Sequence, residues 1–139
     1  MSPIQVQKNK WAEFWRRAKQ FHRSMQIISK EDTSPIVSNA VLCGISAIDS
    51  LAVLTLGKHS SSNHNDAAII LNEIRTSNDS ERKRISLKFS VLMSLKNKAQ
   101  YEDNLPSKKD AEKALNLARE IFVFVDNELR SIGVEFPQD

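Results

Sequence analysis

The sequence predicts an all-α fold, an antiparallel up-and-down bundle of about five helices. Three observations carry this. Three Gly and four Pro in 139 residues are too few for a fold built on many tight turns. Apolar residues recur at three- and four-residue steps through most of the chain. The interruptions of that rhythm are short and polar, at 31–35, 57–63, 78–80 and 104–107.

The first helix is expected from about Asn9 to Lys30, where Trp11, Phe14, Trp15, Ala18, Phe21, Met25 and Ile28 form one stripe with His22 beside it. This stripe reads as core. Ser34 is placed to cap the second helix and Pro35 to occupy its first turn. That helix, Pro35 to Leu56, is apolar on most sides and carries small residues at Ala40, Gly44 and Ala47, so it should lie centrally with close neighbours. Gly57 fits the left-handed position that closes a helix.

Lys58 to Asn63 reads as a loop, and His64 to about Thr76 as a short third helix with Ala67, Ala68, Ile70, Leu71 and Ile74 inside. The fourth helix runs from about Glu81 to Asp103 on Ile85, Phe89, Leu92, Leu95 and Ala99. Ser107 followed by Asp110 is a capping-box variant that opens the fifth helix, whose stripe runs from Ala111 to Ile132 before Gly133. A chain of this length buries one core, so residues 1–139 form a single domain, with flexible ends expected at 1–8 and 134–139.

The formal charge of +3 hides an asymmetry. Residues 1–30 hold seven Lys or Arg against Glu13 alone, and Arg75 to Lys98 hold seven against Asp79 and Glu81. Residues 102–139 hold nine acids against five bases. Solvated faces with ion pairs between helices account for this pattern, and so does a phosphate-binding surface. The apolar segment Ile36 to Leu56 contains Asn39, Ser46, Asp49, Ser50 and Thr55, and an aspartate at the centre of a membrane helix costs about 3 kcal/mol, so a core helix and no membrane span is expected. One cysteine, Cys43, excludes an internal disulfide, and with no signal-peptide pattern the expected compartment is the cytoplasm.

Gly-rich phosphate loops, Gly-x-Ser-x-Gly, His-Glu-x-x-His and Cys-x-x-Cys are all missing, so the common nucleotide-binding, hydrolase and zinc signatures do not apply. Cys43, His59 and His64 lack a fourth ligand for zinc, and neither a metal nor a cofactor is expected. Asp49 sits amid the apolar run from Ile45 to Leu54. It either faces outward with Ser46 or Ser50, or faces inward and needs a partner, for which Lys96, His64 and the Lys58 loop are candidates.

The run Ala47-Ile48-Asp49-Ser50-Leu51, then Gly57-Lys58-His59 and His64-x-Asp66-Ala67, resembles the second and third helices of HEPN domains. Lys96-Asn97-Lys98-Ala99-Gln100-Tyr101, with Ser107-x-x-Asp110-Ala111 and Ala118, resembles their active-site stretch and last long helix. The resemblance spans Ser38 to Leu129. It implies a small helical bundle, commonly paired two-fold, and often a metal-independent ribonuclease whose motif is Arg, a polar residue and then His.

Here the aligned positions read Lys96, Asn97 and Tyr101. Histidine is what lets such a site exchange a proton near neutral pH, and a phenol with an ordinary pKa near 10 is a poor substitute. Lysine holds phosphate as a point charge without arginine's fork. The resemblance therefore implies a catalytically degenerate binding or regulatory module, with a polar pocket of Asp49, Lys96, Asn97 and Tyr101, and with His64 nearby. Its implied partners are a second copy, RNA or a nucleotide, or a nucleotidyltransferase-type protein, in a toxin-antitoxin or defence setting. Two alternatives stand beside it: a purely structural homodimeric module, and a ribonuclease with displaced residues using His59 or His64. Tyr101 also reads simply as a helix-end residue with a packed ring and a wet hydroxyl.

Overall fold

The computed structural model describes residues 3–61, 66–101 and 103–136, without the side chains of Gln100 and Tyr101. Five helices make the bundle: α1 (Trp11–Ile27), α2 (Thr33–Leu56), α3 (Ala67–Glu73), α4 (Asp79–Tyr101) and α5 (Lys108–Ile132). A 3-10 turn at Lys8–Lys10 leads into α1. Two strands, β1 (Ile4–Gln5) and β2 (Lys58–His59), pair antiparallel, Ile4 against His59 and Gln5 against Lys58.

The central element is α2, packed chiefly against α1 and α5 with α4 beside them. Sixteen of its 24 residues are buried, which is why its sequence is apolar nearly all round. It is long and apolar enough to cross a membrane by composition, yet 83% of its most apolar window is buried within the bundle. Gly44 lets α4 approach: a Cβ there would meet Leu92 Cδ2 at 3.0 Å, with Ile121 of α5 and Phe89 of α4 beyond. Gly57 adopts φ +69° and closes α2 as its position suggested, donating its N–H to the Val53 carbonyl.

Polar contacts at the two poles show how α4 runs relative to α2. At one pole Lys98, near the end of α4, meets Asp110 at the start of α5, and Lys108 meets Glu31 just before α2. At the other pole Arg82, near the start of α4, reaches the side chain and carbonyl of Asn72 in α3. Helix α4 therefore runs antiparallel to α2.

Several expectations are corrected. Helix α2 begins at Thr33 after Asp32, not under a Ser34 cap, and no side chain caps it. Helix α3 is described only from Ala67 to Glu73; Ile74 is already extended and buried, so the chain leaves the helix to fill the core. The β1–β2 ribbon was not expected, nor fixed contacts for the ends: Val6 donates to the Gly57 carbonyl, and Phe136 sets its ring against Trp11 and Trp15. The capping box is present as expected, with Asp110 N–H donating to Ser107 Oγ at 3.0 Å.

Candidate functional site

Asp49 faces inward. Its helical position, one turn before Val53, aims the carboxyl at the chain just past Gly57, where β2 leads into Ser60. Ser60 donates its backbone N–H to Oδ1 at 2.8 Å and its hydroxyl to Oδ2 at 2.9 Å. Both residues are buried. Asp66, also buried, accepts the Ser61 N–H at 3.0 and 3.1 Å.

Burial pushes the Asp49 carboxyl above the ordinary aspartate range; the two Ser60 hydrogen bonds and the nearby His59 oppose that shift, and Asp66 adds to it. His59 packs its ring on Phe14 and sets Nδ1 2.8 Å from the Ser60 carbonyl. A carbonyl only accepts, so the proton of a neutral His59 sits on Nδ1.

This cluster holds two acids, two serines and a histidine, but Ser60 and Ser61 are 3% and 1% exposed and present no hydroxyl to a substrate. Its role is to hold the connection after α2 against the bundle. A third carboxylate does the same elsewhere: Glu128 of α5 accepts the Ser77 N–H at 3.1 Å and its hydroxyl at 2.7 Å, pinning the connection between α3 and α4. Ser60, Ser77 and Glu128 are not singled out by the sequence, and Asp66 stands there only within the His64-x-Asp66-Ala67 run. Paired serines followed by an acid at the mouth of a helix were the available signal.

Lys96 and Asn97 lie towards the opposite pole. Gly44 marks the level at which α2 meets Leu92; from there Asp49 lies along α2 one way and Lys96 along α4 the other. At 1.5 Å per residue they are separated by about 13 Å along the bundle. The structure therefore does not bring Asp49 to Lys96: Asp49 engages Ser60 in the Lys58 loop, while Lys58 itself binds Glu73 at 2.6 Å.

Lys96 is half-buried on the α4 face that carries Phe89 and Leu92, and makes no ion pair among the described residues. Asn97 is exposed. Tyr101 ends α4, but its side chain lies outside the described residues, as does His64 entirely.

Residues 12–128 match the family model of the HEPN domain. This chain belongs to the HEPN domain family. No curated protein and no solved structure matches it significantly. The five-helix bundle is the architecture that family membership implies, and the match covers every helix except the first residue of α1 and the last turn of α5.

In this HEPN domain the basic residues of α4 are largely neutralised from within. Arg82 and Lys83 pair with Asp79, Arg84 with Glu81 and Glu120, Lys88 with Glu120, and Lys98 with Asp110. Lys98, by its hydrogen bond, holds the Asp110 carboxyl below its ordinary range. Among the described residues no group of three or more His, Cys, Asp or Glu is placed to hold a metal ion. Cys43 is buried, and burial alone pushes its thiol up to about 12, so it is no nucleophile.

Proposed function

We propose that this HEPN domain is a catalytically silent binding module whose ligand is RNA. The observation that carries the reading is Lys96: a half-buried cation, free of carboxylate partners among the described residues, on the stretch where the family's Arg would stand. An ammonium without an assembled acid or base beside it holds a phosphate but does not activate a 2′-hydroxyl. The buried carboxyl of Asp49, which the resemblance groups with Lys96, is about 13 Å away along the bundle by helix rise and already committed to Ser60.

The same reading pairs two copies through the α4 end, so that both Lys96 side chains face one groove, and keeps the protein in the cytoplasm. A nucleotidyltransferase-type protein is the partner that family resemblance suggests, testable by co-purification. The deciding measurement is binding of labelled single-stranded RNA across a salt series. Binding should weaken steeply with salt, and Lys96→Glu should weaken it further without changing the particle mass. Absence of RNA binding at low salt would remove the reading.

A purely structural homodimer is the second reading, and one observation favours it. Leu87 and Val91, one turn apart on α4, are 72% and 38% exposed. Light scattering at micromolar concentration decides the assembly step shared by both readings: a dimer mass is expected, and a monomer mass would overturn it.

A further inference from the structure

Most bases of α4 are held by acids of their own chain, whereas Arg23 of α1 and Arg119 of α5 have no ion pair among the described residues. Arg119 of α5 donates only to neutral oxygens, Asn116 Oδ1 at 3.4 Å and Gln26 Oε1 at 3.3 Å. Both distances are long for a guanidinium bond, which closes to about 2.8 Å on a carboxylate or phosphate. Glu120, adjacent to Arg119, is engaged by Arg84 and Lys88. Arg23 of α1 is exposed and has no ion pair among the described residues.

His22 is next to Arg23 in α1 and is joined to Arg119 through Gln26. Its ring stacks on Phe122 at 4.1 Å and 17°, and Phe122 stacks in turn on the buried Trp15 at 4.7 Å, so the imidazole is fixed in place by the core. Gln26 Nε2 approaches His22 Nδ1 at 3.2 Å and donates to the His22 carbonyl at 2.8 Å. An amide nitrogen only donates, so Nδ1 accepts and the neutral ring carries its proton on Nε2. Burial first, then the charges of Arg119 and Arg23, hold His22 below its ordinary range. Arg119 is thus tied through Gln26 to the His22 residue, with Arg23 next to it in the chain, and neither guanidinium has a carboxylate partner among the described residues.

We propose that His22, Arg23 and Arg119, braced by Gln26, form a phosphodiester-binding site through which this domain holds the backbone of single-stranded RNA. The inference deepens the RNA reading and rests on it, and it puts the principal electrostatic contact on the α1–α5 seam, not on α4. A chain fits better than a lone anion because an exposed row of α1 runs through Arg23. Arg16, Gln20, Arg23 and Ile27 follow at four-, three- and four-residue steps, all exposed, with an open depression of about 790 Å³ beside Gln20, Arg23 and Ile27. That row spans about 16 Å, more than one phosphate occupies. Arg16 alone in the row is paired by a carboxylate, the exposed Glu13, at 3.0 Å.

The test is fluorescence anisotropy with a labelled single-stranded RNA over a salt series, on the full chain and on Arg23→Gln, Arg119→Gln, Lys96→Glu and the control Lys109→Gln. Lys109 is exposed near the start of α5, ten residues or about 15 Å along the helix from Arg119, so its loss matches the charge change at a distance from the site. Arg23→Gln and Arg119→Gln should each weaken binding about tenfold and lower the slope of log K against log salt by about 0.7, the signature of one lost phosphate contact. Lys109→Gln should do neither, and bound RNA should move the His22 ring nitrogens in a ¹⁵N spectrum.

Arg23 lies on the surface, so its variant tests the site independently of packing around Arg119. Retained affinity and slope in both arginine variants, with Lys96→Glu still impaired, would overturn the seam site and leave the RNA reading standing. An equal loss in Lys109→Gln would overturn it as an effect of net charge. Arginine variants that lose dimer mass instead of RNA would give the seam to a second copy, which also overturns it. Absence of RNA binding by the unmodified chain would overturn both readings together.

Discussion

Asp49 is held twice by one residue, since Ser60 gives it a backbone N–H at 2.8 Å and a hydroxyl at 2.9 Å. Asp49→Ala leaves both donors buried with no acceptor, and should destabilise the fold by about 2–4 kcal/mol. Asp49→Asn keeps both contacts: its amide oxygen accepts the N–H, and its amide nitrogen donates to the serine oxygen. Urea unfolding at neutral pH should therefore place the Asn variant within about 1 kcal/mol of the natural chain, or above it, and the Ala variant well below.

The same carboxyl gives the stability a sign with pH. Its folded pKa is raised by burial, so between the ordinary aspartate value and that raised value the folded state binds more protons than the unfolded one. Asp49 therefore contributes most below the ordinary aspartate range, and its contribution falls as pH rises through the window up to the folded pKa. Comparing the chain with Asp49→Asn across pH 4 to 7 isolates this, because Asn does not titrate. The Asn variant should gain relative stability as pH rises, and a gain as pH falls would contradict the assignment.

Gly44 tests the closeness of α2 and α4. A methyl group there would meet the end of Leu92 at 3.0 Å, a contact that a few tenths of an ångström of side-chain movement relieves. Replacing a helical Gly by Ala returns about 1 kcal/mol of propensity, so Gly44→Ala should melt within a few degrees of the natural chain. Gly44→Leu must also displace Ile121 and Phe89, both fully buried, and should lose about 3 kcal/mol or fail to fold.

Most of the bundle was legible because helices state themselves locally. The Ser107–Asp110 box, the left-handed Gly57 and the aromatic stripe of α1 all read correctly, since each depends on neighbours within a few residues. The β1–β2 ribbon did not, because two-residue strands carry no period. Asp49 could not be oriented on a helix apolar nearly all round, where one polar side chain among many buried positions leaves its direction to long-range contacts. The α1–α5 seam was invisible for the same reason: 93 residues separate Gln26 from Arg119, and His22 drew notice only as the edge of a core stripe.

On catalysis the expected result is negative. The purified protein, free of metal, should leave single-stranded RNA intact at neutral pH if, as the sequence resemblance implies, Lys96 and Tyr101 stand where the family has Arg and His. Gel analysis of end-labelled RNA after prolonged incubation checks this. Cleavage that vanished in His64→Ala or His59→Ala would instead assign the protein to the displaced-site ribonucleases.

Ser60, Ser61 and Ser77 sit in connections, where amide protons usually trade with solvent quickly. Each of their N–H groups is instead directed at a carboxyl group that the bundle has buried. Lifting either connection would uncover that carboxyl together with the apolar contacts around it, so the loops open only when the helices part. In heavy water these three amides should thus keep time with the core of α2 and not with the surface, and the connections become part of the slowest cooperative unit of the molecule.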